Sequence, residues 1–156
     1  MDVSINDISG TVIGGHGDTT MIPLKRLATY NGVPVSQFLD AETLDKVVAD
    51  TMVGGATVTG LLGTSAWYAP GAAGAALVEA IVRDEKKIMA CCVPLDGEYN
   101  QKDICLGVPV ILGKNGWEKI VDMDLSADEQ AAFNKSALIK CFFMIGTRIA
   151  IIYQLL

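Results

Sequence analysis

The chain has 156 residues, 51% of them hydrophobic and 19% charged, with a formal net charge of −6 and a mean hydropathy of +0.38. That length makes one domain with a real core, and an acidic balance without a basic patch excludes nucleic acid as the partner, because phosphate neutralisation needs clustered cations. So apolar a composition points to a surface that in part meets another chain or domain.

Residues 1–7 carry neither a basic n-region nor an apolar h-region, so no secretory signal is expected. Residues 10–14 form a short apolar strand ending in Gly14-Gly15, and residues 21–30 read as extended. Asn31-Gly32 follows as a hairpin turn, because both residues tolerate positive φ. The return segment 33–39 contains Pro34, which demotes it to an edge or irregular strand. Asp40 is placed as an N-cap ahead of Leu44, Val47, Val48, Met52 and Val53 at helical spacing. Gly54-Gly55 falls inside that pattern at about 1 kcal/mol per glycine, so a kink or break is expected there.

A second helix is expected over 66–84, its first half nearly all Gly and Ala, which lets another backbone come close. Three strands follow at 86–94, 103–112 and 117–123, with Asn115-Gly116 as a second hairpin signal. Ser126-x-x-Glu129 is a capping box opening a final helix. Hairpin, helices, three-strand meander, helix is an α+β order with antiparallel strands packed against helices, not alternating βαβ.

Cys91, Cys92, Cys105 and Cys141 form no CxxC, and reduced core-filling thiols account for them better than a disulfide framework or zinc site. Residues 1–136 read as one domain and residues 137–156 as a divergent apolar tail, holding Lys140 and Arg148 and no acid. Its longest charge-free run is eight residues, short of the roughly 18 a membrane span wants. A buried C-terminal helix is the plain reading; a membrane anchor and an altered reading frame are the alternatives.

The one histidine, His16, lies in Gly14-Gly15-His16-Gly17-Asp18-Thr19. An imidazole takes or gives a proton near neutral pH, and the flanking glycines leave room for something to approach it. From spacing alone, proton transfer and a hydrogen-bonded structural histidine both stand. A metal site is disfavoured, since no second histidine exists to share an ion. Lys25 and Arg26 alternate to opposite faces and read as solvated charges; Trp67 and Tyr68 read as core or interface aromatics.

The longer strings carry more. IGGHGDTTMIPL (13–24) resembles the catalytic-histidine segment of the lactate/malate dehydrogenase family, on the malate side; the lactate enzymes tend to carry an acid and a serine where Gly15 and Thr19 stand. LLGTSAWYAPGAA (61–73) resembles the family's pocket-bordering helix, and GEYNQKDICLGVPVILGKNGWEKI (97–120) its terminal meander. A lead-in like the family's appears at Ser4-Ile5-Asn6-Asp7-Ile8, so the likeness runs from about residue 3 to 137. The family's charged amphipathic last helix stops being matched after Ser136.

The resemblance implies the C-terminal, substrate-binding half of an NAD-dependent malate dehydrogenase interconverting malate and oxaloacetate, cytoplasmic and homo-oligomeric. His16 matches the proton acceptor and Ser65 a pocket position on the later helix. Asp18 matches the motif, but by its own chemistry reads as a turn residue bonding nearby amides. NAD would be held mainly by a nucleotide-binding Rossmann domain not present in this chain. No GxGxxG occurs, and GAAGAA (71–76) lacks the spacing and follows no strand. The family's substrate-gripping arginines and its histidine-orienting aspartate match nothing here, so no cofactor-binding residue and no metal ligand is assigned. The chain alone is expected to be inactive. The alternative is a truncated orphan domain that folds or oligomerises without redox activity; a lactate-type substrate is a third reading.

Overall fold

The run Ile104–Leu112 forms the strand about which the rest is arranged. The computed structural model describes residues 2–143, with side chains to residue 139. In chain order the elements are β1 (Ile8–Ser9), β2 (Val12–Gly14), β3 (Met21–Pro23), β4 (Thr29–Tyr30), β5 (Val33–Pro34), α1 (Ala41–Leu62), α2 (Tyr68–Val82), β6 (Lys87–Asp96), β7 (Lys102–Gly113), β8 (Gly116–Ile120) and α3 (Ala127–Phe143). The tail expected over 137–156 begins inside α3, and its residues 144–156 lie outside the described residues.

Strand β7 pairs with β6 along one edge, and with both β2 and β8 along the other, all antiparallel. Opposed residues share a face, so the register Met89↔Val110, Cys91↔Val108, Val93↔Leu106 and Leu95↔Ile104 builds one apolar sheet face from two strands. Leu106, Val108 and Val110 are fully buried on it. Leu77 and Ala80 of α2, Phe133 and Ala137 of α3, and Ile13 and Leu24 join the same cluster. Cys91 fills the core with them, and burial pushes its thiol up from the ordinary range. A separate three-stranded sheet, β1-β4-β5, closes the N-terminal part.

The two Asn-Gly turns differ. Asn31 and Gly32 both take positive φ (46° and 85°), the pattern of a type I′ hairpin, with β5 on the edge as Pro34 requires. At the second, Gly113 pairs with Gly116, Lys114-Asn115 is the loop, and Gly116 carries the positive φ at 86°. A register shift at Ile111/Leu112 follows.

Four expectations need correction. The segment 21–30 is not continuously extended: a 3₁₀ turn at Lys25–Leu27 breaks it. There Leu24 is buried and its amide donates to the Thr11 carbonyl. Lys25 and Arg26 stay exposed, as solvated charges, though the turn removes their alternation and both find acidic partners. Lys25 pairs with Asp45, and Arg26 reaches Glu129 (3.0 Å) and the Asp124 carbonyl (2.9 Å). Helix α1 runs unbroken through Gly54-Gly55 for 22 residues. Glycine lowers helix stability but bars no helical φ/ψ, and Asp40 caps the start by accepting from the Thr43 amide at 2.8 Å. Helix α2 begins at Tyr68 rather than 66; Trp67 precedes it without a side-chain cap. Strand β8 ends at Ile120 because the Tyr99 hydroxyl then takes over the backbone, donating to the Val121 carbonyl and accepting from the Met123 amide.

The capping box at α3 forms as the sequence implies: the Glu129 amide donates to Ser126 Oγ (3.2 Å) and the Ser126 amide to Glu129 Oε2 (2.8 Å). The Arg26 guanidinium holds the Glu129 carboxyl below the usual carboxylate range, with help from Ser126.

Two predictions follow from these elements. A Cβ at Gly54 meets nothing within 4 Å, so Gly54→Ala should stabilise by about 1 kcal/mol in urea unfolding; a loss would show that this face is covered in the native protein. Since Glu129 has a depressed folded pKa, its contribution is present above the unfolded carboxylate's pKa of about 4 and fades as pH falls through the folded value. Glu129→Gln should therefore be less stable than the unaltered chain at pH 7, with the gap closing below about pH 4. A gap that stays constant with pH would remove the ion pair from the account.

Candidate active site: the His16 turn

Pairing of Gly14 with Met21 leaves residues 15–20 as the loop joining β2 to β3. The loop is closed by its own backbone. The Thr20 and Met21 amides donate to the Gly17 carbonyl (2.9 and 3.0 Å), and the Gly15 amide to the Thr20 carbonyl (3.1 Å). Gly15, Gly17 and Thr20 supply the turn's backbone bonds, and Asp18 lies exposed within the turn.

A second tie comes from across the molecule. Ser136 of α3, 2% exposed, accepts from the Gly15 amide at 2.8 Å and donates to the Thr20 carbonyl at 2.8 Å. One hydroxyl thus bridges the two ends of the loop that carries His16.

At Gly14, two residues before His16, the bare backbone has a steric cause within the domain. Gly14 sits at φ +92°, and a Cβ on it would fall 2.6 Å from the Thr20 carbonyl oxygen and 3.0 Å from Ser136 Oγ. The space beside Gly14 is already filled by the turn and by α3. What is open is His16 itself, exposed at the tip.

Ser65 is exposed in the connection between α1 and α2, three residues before α2 begins, and so stands on a loop rather than on the helix. The structure holds His16 and Ser65 on two separate exposed connections. Trp67 and Tyr68, beside Ser65, are 57% and 81% exposed, stacked edge to face on each other rather than in the core. The Gly/Ala half of α2 is open as well: a Cβ at Gly71 or Gly74 meets nothing within 4 Å, so no backbone among the described residues packs closely there.

Ser136 was not singled out by sequence reasoning, though a signal existed. It falls with Phe133 and Ala137 at the i, i+3, i+4 spacing of a buried helical stripe. A hydroxyl on such a stripe needs a partner.

The described residues do not fit a dinucleotide. Such a seat is a strand, a glycine turn and a helix N-terminus in a parallel sheet, whereas every strand pairing described here is antiparallel. Among the described residues no group of three or more His, Cys, Asp or Glu is placed to hold a metal ion, and no helix is long and apolar enough to cross a membrane.

Comparison with known proteins agrees with this geometry. The profile of the lactate/malate dehydrogenase alpha/beta C-terminal domain matches residues 1–139. Malate dehydrogenase of Flavobacterium johnsoniae is 66% identical over 137 residues, 88% of this chain and 44% of that protein. Malate dehydrogenase of Bacteroides thetaiotaomicron is 67% identical over 132 residues, 85% and 42% of the two chains. The chain thus spans less than half the length of these relatives. Among solved structures, malate dehydrogenase from Salinibacter ruber superposes with a TM-score of 0.86 at 45% identity, over 90% of this chain and 46% of that one. A lactate dehydrogenase from Cryptosporidium parvum, solved with lactic acid and nicotinamide adenine dinucleotide, gives 0.84 at 36% identity, again over 90% and 46%. On this fold, this match and these identities, the chain belongs to the lactate/malate dehydrogenase family, as its alpha/beta C-terminal domain.

Proposed function

We propose that this chain is the substrate-side half of a cytoplasmic, NAD-dependent malate dehydrogenase interconverting malate and oxaloacetate, with His16 as the proton acceptor. The observation that carries the reading is an exposed imidazole at the tip of a loop tied at both ends, in a chain 66% identical to a malate dehydrogenase. A general base has to be reachable by its substrate and fixed in place. The exposed tip supports the first requirement and the bonds from Ser136 to Gly15 and Thr20 the second. In this role a ring nitrogen of His16 takes the 2-hydroxyl proton of malate and returns it in the reverse direction.

NAD finds no seat among the described residues, so the part assigned to this chain is the proton's. Substrate anchoring is assigned elsewhere too: Lys25 is engaged by Asp45 and Arg26 by Glu129, which leaves neither as a ready clamp for a dicarboxylate. Ser65 is proposed to line the substrate side, as an exposed hydroxyl on the connection before α2. The open flank of α1 and α2, with Val47, Val58, Leu62, Val78 and Val82 at 44–78% exposure, supports assembly with further protein, a second copy included.

The test is NAD-linked malate oxidation, by the purified 156-residue chain and by the same chain joined to the nucleotide-binding half of a malate dehydrogenase. The chain alone should show no steady rate, since proton acceptance without a held hydride acceptor lacks most of the required positioning. The joined protein should turn over, and His16→Asn in it should cut kcat by roughly 10²–10⁴-fold. An unchanged rate would remove His16 from the mechanism, and a steady rate from the chain alone would overturn the division of labour. Ser65→Ala in the joined protein should raise KM for malate by about 2- to 10-fold, the worth of one neutral hydrogen bond, with kcat little altered. No change in KM would take Ser65 out of the pocket.

A further inference from the structure

We infer that Ser136 is a positioning residue for His16: its hydroxyl registers the His16 loop against α3. The inference rests on the proton-acceptor reading for its catalytic meaning, and on geometry alone for the positioning.

A serine inside a helix ordinarily returns its hydroxyl to the carbonyl four residues back. Ser136 does not. Its proton goes to the Thr20 carbonyl and its lone pair to the Gly15 amide, 116 and 121 residues away along the chain. Those two groups stand at the ends of the loop, one immediately before His16 and one four residues after it. All three residues are buried, so water does not compete for the bonds.

The helix that carries the hydroxyl is itself fixed. Phe133 and Ala137, on the same stripe, sit in the core at 0% and 4% exposure. Phe133 lies against the Tyr99 ring at 5.2 Å between centroids. The capping box and the Arg26–Glu129 pair hold the first turn of α3. Gly14 completes the arrangement, because a side chain there would collide with the Thr20 carbonyl and crowd Ser136 Oγ. The direct Gly15–Thr20 bond, at 3.1 Å, closes the loop but does not say where the loop stands on the domain; Ser136 does.

The test uses the intact chain and two probes. His16 is the chain's one histidine, so a long-range proton–nitrogen spectrum of the imidazole reports it alone. Gly15 reports the tie itself through amide hydrogen exchange. In Ser136→Ala, Gly15 exchange should quicken by on the order of tenfold or more beyond the change at Val108, which tracks global opening. The His16 ring resonances should shift or broaden, and Ser136→Thr, which keeps the hydroxyl, should restore both. A structural serine with no link to the loop would lower overall stability while leaving Gly15 in step with Val108 and the His16 spectrum unaltered; that result overturns the proposal. If Ser136→Ala does not fold, the unaltered chain decides: Gly15 in step with Val108 and slower than the Thr20 and Met21 amides bonded within the loop supports the tie to α3, and Gly15 exchanging as fast as those two refutes it. Failure of the proton-acceptor reading shows separately, as undiminished turnover in His16→Asn, and leaves these two probes untouched.

Discussion

A strand paired along both edges, with a run of consecutive buried residues from Leu106 to Val110, has to be satisfied from every side, and in this domain that strand is β7. Its requirement explains the layout. One edge is filled end to end by β6. The other is shared, β2 meeting it at Gly107 and β8 from Val110 onward, with Pro109 between the two pairings. The sharing matters for function, because it brings the end of β2, and so the His16 loop, onto the centre of the sheet rather than its margin. Helices α2 and α3 cover the same cluster, and α3 thereby comes within hydrogen-bond reach of that loop.

Local chemistry was the part of the fold most legible in the sequence. Asp40, Ser126 with Glu129, and Asn31-Gly32 each announce an end or a turn through bonds made within three or four residues, and each is found as expected. The meander 86–123 was legible for the same reason, being consecutive strands joined by short turns. What was misjudged depends on distant partners. Nothing near Val121 says that its carbonyl is taken by Tyr99, 22 residues earlier. Nothing near Arg26 names Glu129, 103 residues later. Gly54-Gly55 was overweighted: a cost of about 1 kcal/mol per residue is small beside a helix of 22 residues propagated from a capped start.

The site divides along the same line. His16 was legible as a single imidazole in a motif, and its exposure at a loop tip agrees with that. Of the nearby glycines, Gly14 is fixed by packing, since the space beside it belongs to Thr20 and Ser136. Ser136 itself was hidden because a serine in a helix is ordinary; only its place on the buried stripe beside Phe133 and Ala137 distinguishes it. The family likeness over residues 1–139 rests on the whole domain and not on any one of these residues.

Among the described residues, helix α1 has one buried residue, Leu44, in its first turn, and its Asp40 cap and Lys25–Asp45 pair also lie in its first two turns. Its free energy of opening is therefore graded along its length: near the cap it is tied to the sheet, and toward Leu62 it falls to what the helix's own hydrogen bonds supply. The connection bearing Ser65 hangs from that weakly coupled end. The Ser65 connection is thus bounded unequally, by the weakly coupled end of α1 on one side and on the other by α2, which Leu77 and Ala80 seat in the core, whereas the His16 loop is tied at both ends to buried groups.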